Sequence, residues 1–209
     1  MAYAVGLLTT DGCLSKDGRH IELTSKDKDQ LLNLMECLGI SVKIGQKISG
    51  FTGKKTGHIQ FGDINFYRFL IKIGLFPAKT KTLSSLKIPI KYFFDFLRGH
   101  YDGDGSFYSY WDKRWKSSFM FYLEFTSASQ NHILWLQSQI SKSTGAKGHM
   151  TKAAKSSVIQ LKYAKQESLK LIQKMYYNEK AICLSRKLSK IKQALKIEDK
   201  HNCAKARVL

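Results

Sequence analysis

What most constrains this sequence is that it repeats itself. Gly6-x4-Asp11-Gly12, within AVGLLTTDG, returns as Gly99-x4-Asp104-Gly105 within LRGHYDGDG, the two aspartates standing 93 positions apart (104 − 11). Three more matches follow in the same order. IELTS at 21–25 answers LEFTS at 123–127, HIQFG at 58–62 answers VIQLK at 158–162, and FLIKIGLFPAKTK at 69–81 answers LIQKMYYNEKAICLSRK at 171–187 with a gap. Each match is modest alone, and it is their common order that carries the inference. Such a chain folds as two copies of one unit, roughly 1–88 and 89–198, with 199–209 left as a basic C-terminal tail; two copies are too few for a solenoid.

Each copy has the same local grammar. A short apolar helix ends at Asp-Gly. Alternation then marks a strand, with Ile21 and Leu23 on one side and His20, Glu22 and Thr24 on the other. Asp27 followed by Gln30 reads as a capping box that opens a helix through Leu31, Leu34, Met35 and Leu38, and Gly39 ends it. Residues 41–49 alternate again, Val42, Ile44 and Ile48 against Ser41, Lys43, Lys47 and Ser49, with Gly50 placed at a hairpin. Ile59 and Phe61 flank Gln60 in the next strand, and Phe66 to Ile73 is helical. In the second copy Phe119, Phe121, Leu123 and Phe125 oppose Met120, Tyr122, Glu124 and Thr126, and Ile133, Leu134, Leu136 and Ile140 line a helix. The expected class is α+β: two tandem αββαββα units related by a pseudo-twofold axis, each an antiparallel sheet with its helices on one face.

The other sheet face is polar, basic and aromatic, and net charge says what it meets. Lys and Arg number 35 against 16 Asp and Glu, a net charge of +19, spread from Lys16 to Arg207. An excess of that size favours a polyanionic partner, most often nucleic acid. Two outward sheets rich in Lys, Gln, Tyr, Ser and Thr suit a DNA major groove, where alternate side chains of a β-ribbon reach base edges. No apolar run is long enough to span a membrane, and residues 2–8 lack the charged region of a signal peptide. Cys13, Cys37, Cys183 and Cys203 lie far apart without metal-site spacing, which points to reduced thiols and an intracellular setting.

Gly6 and Gly99 sit at equivalent places in the two apolar helices. Glycine costs a helix about 0.5–1 kcal/mol relative to alanine, so its place there signals close backbone approach. If the helices pack on these glycines, Asp11 and Asp104 meet beside the axis. Two adjacent carboxylates raise each other's pKa unless a cation intervenes. A hard divalent ion, Mg²⁺ above all, resolves the conflict and would face phosphodiesters crossing the axis. In one copy an Asp-Gly pair is explained by a turn; its recurrence in the repeat of a basic chain asks for more.

These two motifs resemble the signature of the LAGLIDADG homing endonucleases, FLRGHYDGDGSF most closely, and the resemblance runs to about residue 195. It implies a single-chain pseudo-dimer whose signature helices form the interface and whose two saddle-shaped sheets lie in the major groove of double-stranded DNA. It implies that Asp11 and Asp104 are the metal ligands, with Mg²⁺ as cofactor, Mn²⁺ substituting, and Ca²⁺ supporting binding with little cleavage. Asp102 takes the motif's earlier acidic position, which caps the helix and supports the interface, while Thr9 stands there in the first copy. The family also places a lysine near each active site: Lys187 in LSRK, and Lys79 in PAKTK with Lys81 as the alternative. DNA contacts are expected from His20, Glu22, Thr24, Lys43, Lys47, Gln60, Tyr108, Tyr122, Glu124, Gln160 and Lys162; Gln60 and Gln160 are either base readers or organisers of active-site water.

The expected activity is cutting both strands of a long, asymmetric target by metal-dependent phosphodiester hydrolysis, with the protein a monomer in a prokaryotic cytoplasm or an organelle matrix. Two other readings compete. One is an intron RNA maturase, or a non-cleaving LAGLIDADG-type nucleic-acid binder; loss of a metal aspartate would signal it, and both aspartates are kept. The other is a structural or ribosome-associated basic protein, which gives no reason for paired Gly-x4-Asp-Gly motifs. Met1 just before the first motif and the lack of splicing blocks argue against an intein.

Overall fold

The computed structural model describes residues 1–48, 53–115, 118–152 and 157–206, with side chains placed as far as His201. The first half runs α1 (Ala2–Thr10), β1 (Gly12–Leu14), β2 (His20–Ser25), α2 (Lys28–Leu38), β3 (Gly45–Ile48), β4 (Lys55–Gly62) and α3 (Ile64–Ile73). Short 3₁₀ turns at Lys79–Lys81 and Ile90–Tyr92 lead into α4 (Phe93–Asp104), β5 (Ser106–Trp111), β6 (Phe119–Ser127), α5 (Gln130–Thr144), β7 (His149–Lys152), β8 (Ile159–Ala164), α6 (Lys165–Met175) and α7 (Ser185–Ala206). The sheets have orders β1-β2-β4-β3 and β5-β6-β8-β7, every pairing antiparallel. This is the α+β arrangement of two like units that the repeat predicts.

Helices α1 and α4 join the halves. Helix α1 is buried from Tyr3 to Thr9, because it lies between α4 and its own sheet. Such a helix is apolar all round, as this one is. Its contact with α4 is backbone on backbone. A Cβ on Gly6 would lie 2.2 Å from Phe96 O and 2.6 Å from His100 N; one on Gly99 would lie 2.1 Å from Tyr3 O and 3.1 Å from Leu7 N. The partners obey one offset, 93 residues (96 − 3, 99 − 6, 100 − 7), which is the offset of the two aspartates. The pseudo-twofold axis therefore passes between the glycines.

The alternating strands bury what their pattern assigns inward: Ile21, Leu23, Ile59, Phe119, Phe121, Leu123 and Phe125 are core residues. Gly39 ends α2 and Gly74 ends α3, both in the left-handed region at φ 64° and 103°. Asp63 caps α3 by accepting from Phe66 N at 2.9 Å.

Some local expectations fail. Residues 41–44 form no ladder; Val42 and Ile44 tuck against the core, but pairing begins only at Gly45 opposite His58. Ile48, expected inside, is 63% exposed, at the end of a short strand on the edge of its sheet. Leu134 is exposed as well, since α5 turns His132, Ile133, Leu136 and Ile140 inward. Ser49 and Gly50 fall outside the described residues, and residues 199–206, read as tail, continue α7. No described helix is long and apolar enough to cross a membrane. Cys13, Cys37 and Cys183 are free thiols.

Candidate active site

Both signature helices end at the same place. Asp11 is the C-cap of α1, its N–H bonded to Leu7 O at 3.0 Å, and Asp104 is the last residue of α4. A Cβ on Gly103 would lie 1.9 Å from Thr10 Oγ1 and 3.3 Å from Asp11 Oδ2, so the end of α4 presses on the end of α1. The electrostatics follow. The Asp104 carboxyl is pushed up to about 6, by burial first and by the negative charge of Asp11 second. Asp11 is also raised by burial, against the hydrogen bond from Gln30 and the charges of Lys187 and Lys79.

Two buried lysines close the helix ends. Lys79 Nζ donates to Gly12 O, and Lys187 Nζ donates to Gly105 O at 2.6 Å, Tyr101 O at 2.6 Å and Gly103 O at 3.0 Å. Gly12 and Gly105 are the residues after the two aspartates, so the lysines serve equivalent carbonyls. The last carbonyls of a helix lack intrahelical donors and carry partial negative charge, which a lysine satisfies on both counts. Burial pushes both ammonium groups down, Lys187 to about 8, while Asp11 and Asp104 act on each in the opposite direction. Lys79 rather than Lys81 turns inward. Ala78 before it adopts φ 57°, a left-handed turn that aims Lys79 at Gly12, whereas Lys81 is exposed.

Lys187 is held by a strap running from α6 to α7. Asp102 Oδ2 accepts from Leu184 N and from Tyr3 Oη, each at 2.7 Å. Arg98 donates to Ile182 O at 2.9 Å and Met175 O at 2.6 Å, and Asn33 Nδ2 to Cys183 O at 3.0 Å. Arg186 grips Asp27 through two bonds of 2.8 and 2.6 Å. Thr9, at the place equivalent to Asp102, instead donates to Val5 O in its own helix.

The expected capping box is therefore absent. Asp27 stands at the N-cap of α2 but makes no side-chain cap bond, because Arg186 engages it. Gln30 turns to the aspartate instead: Nε2 donates to Asp11 Oδ2 at 2.7 Å, and Oε1 accepts from Ser25 Oγ at 2.6 Å. Pattern reading misses this role, since Asp-x-x-Gln satisfies a cap equally well. His132 is its counterpart (132 − 30 and 127 − 25 both give 102) and behaves differently. Its Nδ1 lies 2.9 Å from Ser84 O, which only accepts, so Nδ1 carries the proton and Nε2 accepts from His100 Nε2 at 3.1 Å. Burial lowers both histidines, His132 to about 4, so the pair is neutral. A cavity of about 50 Å³ separates the pair from Lys79, Thr126 and Asp104.

Two outward sheet faces flank this centre. On the first, Glu22 sits between Cys13 and Gln60, Thr24 pairs with His58, and Lys47 Nζ reaches Glu22 Oε1 at 2.7 Å. His20 is drawn to Asp17, and Lys43 is exposed but precedes β3. On the second, Glu124 sits between Ser106 and Lys162, Tyr108 pairs with Tyr122, and Thr126 with Gln160. Gln60 is exposed, and Gln160 Oε1 accepts from Thr151 at 3.3 Å. Glu124 is 4% exposed, under Ser106, whose hydroxyl donates to it at 3.2 Å.

No three His, Cys, Asp or Glu side chains converge to hold a metal among the described residues. Two carboxylates at a helix junction, both raised by burial, form a hard oxygen pair that fits a Mg²⁺-class ion completed by oxygen ligands from elsewhere. No described side chain hydrogen-bonds Asp104's carboxylate, which leaves it open to such an ion.

No family model matches the sequence, and no curated protein matches it. Solved structures do. The LAGLIDADG homing endonuclease I-LtrWI bound to target DNA is 14% identical with a TM-score of 0.62, over 95% of this chain and 89% of that one. I-DmoI in complex with DNA and Mn is 15% identical with a TM-score of 0.53, over 85% and 96%. Full-length WhiA from Thermatoga maritima is 16% identical with a TM-score of 0.58, over 100% of this chain and 67% of that one. The fold is that of the LAGLIDADG homing endonucleases.

Proposed function

We propose that this chain is a site-specific DNA endonuclease that cuts both strands of a long, asymmetric duplex by divalent-metal-dependent phosphodiester hydrolysis. One observation carries the reading: Asp11 and Asp104 converge at the junction of two outward sheets, each with a lysine on the carbonyl that follows it. A Mg²⁺-class ion held by these aspartates would supply positive charge against the phosphodiester and acidify water. Lys79 and Lys187 hold the two aspartate-bearing turns in register and place positive charge beside them. Lys187, lowered to about 8, is able to exchange a proton near neutral pH. Gln30 fixes Asp11. One chain supplies both halves of the site, so a monomer suffices, and the unequal sheets give an unequal target of about two helical turns, ~10 bp each.

Incubating the full chain with a randomised duplex pool in Mg²⁺ and sequencing the cut ends tests this. Recovery of one long asymmetric motif cut on both strands is expected. Specific binding should also weaken with salt, log K against log[salt] falling by about 0.9 per phosphate neutralised. The likeness to full-length WhiA, whose N-terminal part is a LAGLIDADG domain, supports a second reading: a LAGLIDADG-type protein that binds DNA without cutting. Enrichment of a bound motif with no cut ends in Mg²⁺ or Mn²⁺ would establish it.

A further inference from the structure

The two outward faces differ in chemistry. On the first sheet the groups are hydrogen-bonding ones: His20, Glu22, Thr24, His58 and Gln60, with Lys47 paired to Glu22. The second carries three stacked phenols. Tyr108 and Tyr122 face each other across β5 and β6 with centroids 5.2 Å apart and planes within 14°. Tyr110 stacks on Tyr122 from the diagonal at 6.3 Å and 6°. Met120 stands opposite Tyr110, and on the far side of Tyr122 the β8 partner is only Ala164, which leaves that flank low. Cross-strand aromatic pairs stabilise sheets, but that role does not require exposure, and Tyr108 and Tyr110 remain 39% and 43% exposed.

Resting on the DNA-binding reading above, we propose that this tyrosine stack recognises the 5-methyl groups of pyrimidines in the major groove of the half-site under the second sheet. The C5-methyl of thymine is the one apolar feature among the base edges of that groove. A phenol hydroxyl both donates and accepts, so it distinguishes thymine O4 from cytosine N4–H₂ poorly. The ring surface is what selects, and it selects a methyl group. The position follows from chain geometry. Tyr108 and Tyr110 lie four and six residues beyond Asp104 on an extended strand. A strand rises ~3.3 Å per residue and stacked base pairs ~3.4 Å, so the methyl-reading steps fall about four to six base pairs outward from the cut centre.

The test uses the full chain and three randomised duplex pools: one with thymine, one with uracil in place of thymine, and one with 5-methylcytosine in place of cytosine. Bound sites are sequenced for the chain itself and for Tyr108→Ser, Tyr110→Ser and Tyr108→Phe. The expected result is thymine enriched in the second half-site. Uracil should lower binding there by roughly threefold to fivefold per methyl removed, as expected for burying one such carbon. 5-Methylcytosine should become acceptable where cytosine was rejected. The serine variants should lose the thymine preference while the first half-site is unchanged, and Tyr108→Phe should keep it. The uracil and 5-methylcytosine measurements need no variant to fold. A sharp motif in both halves with uracil equal to thymine overturns the methyl reading and leaves DNA recognition standing. No enriched motif in either half overturns DNA recognition itself. Preference for single-stranded over duplex pools, which stacked aromatics also support, overturns the groove geometry.

Discussion

Gln30 Nε2 lies 2.7 Å from Asp11 Oδ2, and this bond has no counterpart in the second half, where His132 turns to His100 and leaves Asp104 unbonded by its side chain. Two aspartates at equivalent ends of equivalent helices are thus unequal in restraint. Asp11 is pinned by a neutral amide that favours its charged form, while Asp104 is raised to about 6.

Replacing Gln30 with leucine tests that inequality. Asp11 loses the bond that opposes its desolvation, so its pKa climbs further. A hydrogen bond to a charged group contributes about 1.5–3 kcal/mol, so roughly a tenfold or greater loss of cleavage is expected on the acid limb, recovering partly as pH rises. Strand-resolved nicking rates against pH measure it. An unchanged acid limb on both strands would show that Gln30 does not tune Asp11.

Asp11→Asn and Asp104→Asn each remove one carboxylate of the proposed metal pair but keep its size. Cleavage in Mg²⁺ should fall below detection while binding of the selected duplex in Ca²⁺ and the melting temperature stay close to those of the parent chain. In the unsubstituted protein Asp104 keeps its proton up to about pH 6, so the Mg²⁺ concentration needed for half-maximal cleavage should rise as pH drops through that value. Full activity from either variant would remove both residues from the catalytic centre.

Gly99→Ala is a sharper probe of the interface than a large residue, because its single added carbon would lie 2.1 Å from Tyr3 O, a backbone atom that cannot rotate away. The helices must separate, and overpacking of this kind costs about 1–3 kcal/mol or more. Cleavage should drop further than stability does, since Asp11 and Asp104 move apart. Gly39→Asn is the control: the site is open, and asparagine tolerates its φ of 64°. Equal melting temperatures for Gly99→Ala and the parent chain would disprove the backbone-to-backbone crossing.

Asp102→Asn gives a pH signature in stability alone. The Asp102 carboxyl is raised from its ordinary 3.8 to about 6, by burial first, against the bonds from Tyr3 and Leu184. Between those values the folded chain holds a proton that the unfolded chain has released, so the parent loses stability as pH rises from about 4 to 6. The asparagine variant has no such group. Its melting temperature minus that of the parent should therefore increase across this interval and level off above it, and a flat difference would contradict the buried charge.

Much of this was readable from residues, for physical reasons that differ by feature. Glycine at Gly6 and Gly99 has one strong cause in an apolar helix, close approach, so the crossing could be inferred. Gln30 had two adequate explanations, and the cap was the wrong one because Arg186, 159 residues away, occupies Asp27. Lys79 and Lys81 could not be separated by spacing, since the choice depends on the left-handed turn at Ala78, a residue type with no such preference. The histidine pair was invisible in the same way: His100 follows Gly99 where Leu7 follows Gly6, and nothing in one sequence says that a buried imidazole will meet another. Strand β3 is shorter than its pattern and Ile48 is exposed, because alternation reports neither the length of the ladder nor how well an edge strand is covered.

The strap at Leu184 and Lys187 also sets an order of events during synthesis. Lys187 reaches back 82 to 86 residues to the carbonyls at the end of α4, and Arg186 reaches 159 residues to Asp27. A nascent chain can lay down both sheets and pair both glycines while residues 184–187 are still inside the ribosome. At that stage the end of α4 lacks its donor and Asp102 lacks the Leu184 amide. The centre is completed only once that segment has emerged, so a partly made chain holds both aspartates but not the cation that sets the second one in place.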